Sequence, residues 1–313
     1  VGLQFSTSSK ATGIACGIGA GALWGLVFLA PELVRNFSPL QLTIGRYLAY
    51  GAISFLLILP HWRKLTRTLT PQMWWVLAWL ALTGNTLYYI LLSSAIHLGG
   101  IAMTSLIIGF LPVAVTIIGS RDQGAVPLTR LAPSLLFCAA GAVCIGWQAM
   151  ANPLAKTIAV QVAGLCCAVG ALISWTTYAV SNSRWLSRFN NVSIHDWNLL
   201  LGIVTGAQAL LLVPVCLALG LGNHSGMAWA QLAGVSVGVA LLASLLGNAL
   251  WNKMSRLLPL TLVGQMILFE TLFALLYGFL WEQRFPSVWE ATAFVFVALS
   301  VISCIAAHRK NAT

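Results

Sequence analysis

Apolar residues run along this chain in blocks of roughly twenty, separated by short polar gaps, and about twenty is the length that carries an α-helix across a bilayer. Ten blocks can be drawn, at 12–30, 39–59, 73–96, 101–119, 131–150, 158–182, 197–219, 228–251, 258–281 and 288–307. The gaps leave no room for a soluble domain. The ninth block, LPLTLVGQMILFETLFALLYGFLW, carries one carboxylate, Glu270, near its middle. The other five acids, Glu32, Asp122, Asp196, Glu282 and Glu290, fall at or near block ends. A carboxylate at membrane depth is costly and marks a functional position.

Composition agrees with the pattern. Hydrophobic residues make up 59% of the 313 and charged residues 7%, against roughly a quarter charged in a soluble domain, and the mean hydropathy is +0.90. The net charge of +10 does not indicate nucleic acid, because Lys and Arg sit in the gaps, where retention on the cytoplasmic face places them. With the N-terminus inside, the inner gaps hold Lys10, Arg63, Lys64, Arg67, Arg121, Arg130, Arg184, Arg188, Lys253, Arg256, Arg309 and Lys310, and the outer ones only Arg35, Lys156 and Arg284. An even span count returns the C-terminus to the same side, so both termini are expected in the cytoplasm. The seven cysteines lie inside apolar blocks as small core residues, with no disulfide or zinc spacing.

The chain repeats itself. A shift of 151 residues carries Gly13 onto Gly164, Cys16 onto Cys167, Gly19 onto Gly170 and Trp24 onto Trp175; a shift of 159 carries Phe110 onto Phe269, Gly119 onto Gly278 and Pro127 onto Pro286. The first block thus matches the sixth and the fifth matches the tenth. Five spans is an odd number, so the halves enter the membrane in opposite directions. The expected fold is an all-α integral membrane protein with ten transmembrane helices, built as two inverted five-helix repeats (residues 1–157 and 158–313) around a central cavity; such repeats place a substrate near the midplane. Tight helical turns are expected at His97–Gly100 and at Ser255–Pro259, where Gly and Pro interrupt the blocks.

These features resemble the drug/metabolite transporter superfamily, in its ten-span EamA-like branch. The resemblance rests on LWG at 23–25, on IGRYLAYGA at 44–52, on AIHLGGIAMTSLI at 95–107 with FLP after it, and on FET at 269–271, in that order and duplicated. It covers essentially the whole chain. The family commonly has Pro after the Glu, where this chain has Thr271, which implies a different local bend. The aromatic content is similar to that of YddG-type exporters of aromatic and other amino acids. The resemblance implies export of amino acids or similar small metabolites by alternating access in a cell inner membrane, with no cofactor. It also implies that Arg46 and Glu270, which the family keeps whatever the substrate, tie or gate helices.

Polar residues that share a helical face with aromatics are the candidates for a cavity. The third block offers Asn85, Tyr88 and Tyr89; the eighth offers Ser244, Asn248 and Trp251. An ammonium and a carboxylate need directed polar partners, and a broad apolar side chain needs aromatic walls. Trp24, with Phe28 one turn on, and its repeat mate Trp175, followed by Tyr178 and Asn182, would bracket one site from opposite sides. Against this, Tyr and Trp near span ends serve as interface anchors, and Asn in a membrane helix serves as glue. Arg46 meets a substrate carboxylate or bonds helices together. Glu270 and Gln265 complete the gating or coupling set; Glu270 falls opposite Leu111, beside the Pro112 break.

Enzyme readings fare poorly. No HExxH, paired Asp or phosphate loop is present, and no metal site is expected. The expected partners are a small-molecule substrate and the lipid bilayer, with no nucleic acid; blocks five and ten offer either a dimer face or a lipid face, so the protein is a monomer or a homodimer. A multidrug or nucleotide-sugar-like transporter is the alternative within the same class, and a membrane enzyme or structural subunit lies outside it. Reporter fusions test the orientation: a phosphatase active only outside the cytoplasm should be silent at both termini, and activity at either end contradicts the charge argument.

Overall fold

The computed structural model describes residues 7–34, 36–121, 126–150, 158–189, 192–222, 224–283 and 285–309. The loop cations Arg35, Lys156 and Arg284 and the acid Asp122 lie outside them, as do the side chains of Glu32, Glu282 and Glu290. Among the described residues the regular elements are all helical. They are α1 (Thr7–Gly25), α2 (Ala30–Leu33), α3 (Pro39–Ile58), α4 (Trp62–Thr66), α5 (Pro71–Ala81), α6 (Leu87–Ile108), α7 (Leu111–Gly119), α8 (Leu128–Met150), α9 (Ile158–Arg188) and α10 (Ile194–Ala218). The chain continues with α11 (Gly226–Val239), α12 (Asn248–Leu257), α13 (Leu260–Met266), α14 (Leu268–Glu282) and α15 (Val288–Arg309).

Seven helical stretches among the described residues are long and apolar enough to cross a membrane, Ser9–Phe28, Pro39–His61, Pro71–Ile96, Val162–Arg188, Ile194–Ala218, Gly226–Leu257 and Leu260–Trp281, and two shorter ones are Leu128–Cys144 and Ala291–Cys304. Their starts follow local chemistry. Ser38 accepts from the Gln41 amide at 3.3 Å while its own amide donates to the Gln41 side chain at 2.9 Å, and Pro39 opens the helix. Thr70, Ser193 and Ser225 cap α5, α10 and α11 in the same way.

Two stretches widen into π turns: Leu82–Thr86, which joins α5 to α6, and Ala240–Gly247, which joins α11 to α12. The 159-residue shift carries the first onto 241–245, inside the second. The expected turn at Ser255–Pro259 is present, with Leu258 extended (φ −121°, ψ 149°) and α13 starting after Pro259. The one expected at His97–Gly100 is not: helical backbone runs through it to Ile108, and the break falls at Gly109–Phe110. Paired glycines permit a break, whereas Pro112 compels one just upstream, having no N–H to offer the turn before it. Cys166 is exposed and Cys167 half-buried, so these two are not core residues; Cys16, Cys138, Cys144, Cys216 and Cys304 are buried.

The packing is closest where α3 crosses α10. A Cβ on Gly51 would lie 2.6 Å from the Cα of Gly206 and 3.3 Å from the Gly202 carbonyl, and one on Gly206 would lie 2.7 Å from the Cα of Gly51 and 3.3 Å from the Tyr47 carbonyl. The contact is reciprocal, as at a local two-fold axis, and Gly202 with Gly206 forms the spacing that lets membrane helices touch backbone to backbone. At the α8/α15 crossing Ser134 and Ser300 each donate to the other's carbonyl, at 2.8 and 2.6 Å. Gly206→Leu should separate α3 from α10, because backbone cannot yield as a side chain does. Overpacking of this kind costs about 1–3 kcal/mol, read as a lower unfolding temperature of the purified protein. An unchanged temperature contradicts the contact.

Candidate functional site

The side chains at the centre come from four helices. Trp24 of α1 packs tilted on Trp251 of α12 with ring centroids 5.0 Å apart, and edge-on to Trp175 of α9 at 5.8 Å. Trp175 and Trp251 meet at 5.2 Å, closing a triangle of indoles. Tyr178 of α9 and Tyr88 of α6 reach Trp175 at 5.8 and 6.3 Å. All five rings are buried, and edge-on aromatic pairs contribute about 0.5–1.5 kcal/mol each beyond the area they bury. The repeat mates Trp24 and Trp175 therefore touch directly, and the rings fill the space between them.

The π turns hold this cluster. A widened turn takes carbonyls off the regular ladder, and a buried carbonyl needs a donor. In the second π turn the Ala243 carbonyl accepts from Trp24 Nε1 at 3.1 Å, and the indole lies so close to Gly247 that a Cβ there would sit 2.8 Å from Nε1. In the first, the Thr83 carbonyl accepts from Ser174 Oγ at 2.7 Å, and the Tyr178 ring covers Gly84, leaving no room for a Cβ. Each π turn thus receives a helix that the repeat pairs with the other's partner, α1 on one and α9 on the other.

Arg46 stands beside the cluster, buried within α3. Its Nε donates to Ser244 Oγ of the second π turn at 3.0 Å, and its guanidinium carbon lies 5.0 Å from the Tyr47 ring centroid and 4.8 Å from that of Tyr89. Aromatic faces stabilise a desolvated cation. Glu270 is half-buried in the first turn of α14, where the helix N-terminus favours negative charge. Gly21 lets α1 approach this turn: a Cβ there would lie 2.9 Å from the Glu270 amide.

The remaining candidates divide. Asn85 donates to Thr205 Oγ1 at 3.0 Å while its carbonyl accepts from Tyr47 at 3.3 Å, so it ties helices rather than lining an opening. Asn182 does the same, donating to Asn252 at 2.9 Å and accepting from Trp197 at 3.3 Å. Asn248 is buried, and the nearby Tyr50 hydroxyl of α3 donates to the Asn198 carbonyl at 2.9 Å. Gln265 belongs to another crossing, donating to Thr116 Oγ1 and accepting from Ser300 Oγ, both at 3.0 Å. Phe28 sits half-buried in a 3-10 turn one turn beyond Trp24. Tyr88 and Tyr89 point to different partners, the indoles and Arg46 respectively. Reading the sequence missed Tyr47, Tyr50, Asn198, Thr205 and Ser174; Gly84 and Gly247, isolated inside apolar helices beside polar residues, were the available signal. No group of three or more His, Cys, Asp or Glu that could hold a metal occurs among the described residues.

Comparison with known proteins places this arrangement. The chain is 29% identical over 317 residues to the inner membrane protein YtfF of Escherichia coli (strain K12), covering 95% of both. A solved crystal structure shares the fold with a TM-score of 0.66 at 20% identity, covering 95% of this chain and 98% of that one. Residues 11–147 match the EamA-like transporter family. The family and the relative point to a transporter rather than an enzyme, and the apolar helices make it a multi-pass membrane protein. The chain thus carries an EamA-like domain over residues 11–147, and its likeness to the drug/metabolite transporter superfamily rests on that match together with the inner-membrane relative.

Proposed function

We propose that this chain is a secondary transporter of the inner membrane that exports amino acids, aromatic and other neutral ones, or similar small metabolites by alternating access between two inverted five-helix halves, 1–157 and 158–313, with both termini cytoplasmic. The observation that carries the reading is the cluster of Trp24, Trp175 and Trp251 with Arg46 and Glu270 beside it. Trp24 and Trp175 belong to opposite halves, so the cluster straddles the junction that alternating access must open. Support for the inverted arrangement comes from the repeat mates Trp24 and Trp175 meeting, from the reciprocal contact of Gly51 with Gly206, and from π turns at corresponding positions.

The chemistry fits a small zwitterion. Indole faces receive an apolar side chain and a cationic ammonium, and Arg46 is a planar donor for a carboxylate, its Nε held by Ser244 so that the fork keeps one orientation. Nucleotide phosphates would call for more than one buried cation. The indole triangle also suits flat lipophilic drugs, which is the second reading. Glu270 serves as a tether or gate on α14, adjoining the turn where α1 crosses.

Counterflow in liposomes holding the purified protein tests the proposal. A radiolabelled aromatic amino acid should exchange, and Trp24→Ala should lower the rate at least tenfold, whereas Trp281→Ala, at the exposed end of α14, should leave it unchanged. Exchange of lipophilic cations with none of amino acids would favour the drug reading, and normal amino-acid flux in Trp24→Ala would remove the site. Glu270→Gln should lose flux at every pH. Full flux that no longer depends on pH would instead assign this residue to proton coupling.

A further inference from the structure

The segment between α3 and α5 carries chemistry that the transport site does not use. Three cations, Arg63, Lys64 and Arg67, fall within five residues, and the sequence has no acid between Glu32 and Asp122. Trp62 is half-buried and Leu65 buried, while Arg63 and Arg67 are exposed, so α4 lies with its apolar side on the bundle and its charges outward. Trp62 packs edge-on to Trp74 at 6.4 Å, which fixes α4 against α5.

Directly after Arg67 an open groove of about 560 Å³ is lined by Leu69, Pro71, Trp74, Trp75 and Ala78. Trp75 is 78% exposed, and Trp79, four residues on along the same face, is 50% exposed. The wall is therefore apolar and aromatic, it lies at the start of the membrane-crossing stretch Pro71–Ile96, and the exposed cations Arg63 and Arg67 directly precede it in the chain, in a segment without acids. Such a volume is of the size that takes one small-molecule moiety.

We propose that this groove is a binding site for one anionic phospholipid, its phosphate on Arg63 and Arg67 and an acyl chain lying along Trp75 and Trp79. Charge complementarity selects the headgroup, since basic clusters at the ends of spans attract anionic lipids and zwitterionic ones offer no net charge. The aromatic wall selects an acyl chain over a free anion, because Trp at a membrane surface packs its ring on hydrocarbon while its polar edge stays wet. A bound lipid would brace α4 against α5, next to the first π turn, and so stiffen one end of the third span.

Native mass spectrometry of the full chain in neutral detergent tests the site, with phosphatidylglycerol, phosphatidylcholine or inorganic phosphate added. One phosphatidylglycerol should be retained in preference to phosphatidylcholine. Arg63→Gln with Arg67→Gln should weaken that retention about 25-fold, taking roughly 1 kcal/mol for each cation near a membrane surface. The matched lysine pair should restore it, which separates lost charge from lost folding, and Arg184→Gln with Arg188→Gln should leave it as it was. Trp75→Ala should weaken both lipids. Equal retention of the two lipids, an equal loss in the Arg184/Arg188 pair, or displacement of the lipid by millimolar inorganic phosphate overturns the proposal.

Discussion

Two carbonyls inside the π turns accept side-chain donors from other helices, and the centre of this molecule is arranged around those two bonds. In the second π turn the Ala243 carbonyl accepts from Trp24 Nε1, and in the first the Thr83 carbonyl accepts from Ser174 Oγ. In a bilayer no water competes for these groups, so a helix that fails to supply the donor leaves a penalty of several kcal/mol. The position of α1 against one π turn and of α9 against the other follows from this requirement. Gly247 and Gly84 then admit the rings of Trp24 and Tyr178 onto the same turns.

The buried cation depends on the same frame. Arg46 is placed by Ser244, a residue of the second π turn, and by the faces of Tyr47 and Tyr89. The turn that takes the Trp24 donor thus also holds the cation, and a movement of α1 relative to α12 bears on both. Glu270 faces the assembly from the first turn of α14, which Gly21 brings against α1. The indole cluster, the placement of Arg46 and the packing of α1 are in this way linked through a few backbone carbonyls and the glycines beside them.

Much of this was legible in the sequence, for identifiable reasons. Apolar block length located the helices, and Ser38, Thr70, Ser193 and Ser225 announced their starts because a side-chain acceptor at that position has one local use. The pairing of Trp24 with Trp175 was readable because tryptophan seldom recurs by chance at a fixed shift, and their contact at 5.8 Å followed. The π turns were not readable, since an added residue in a helical turn has no compositional signature. Asn85 and Asn182 were ambiguous because a buried amide serves a ligand and a neighbouring helix equally well, and their partners lie 120 and 70 residues away. His97–Gly100 misled because glycine allows a turn that proline, at Pro112, requires.

In the proposed mechanism the two halves move against each other across the junction these contacts define. Asn85 and Thr205, whose side chains meet at 3.0 Å, lie on opposite sides of it, in the first π turn and in α10. The direct measurement is transport by the Asn85→Cys with Thr205→Cys variant, in a background freed of the seven native cysteines, before and after oxidation to the disulfide. The account predicts flux in the reduced protein, its loss once the bond forms, and its return on reduction. Undiminished flux through the fully cross-linked protein would contradict it.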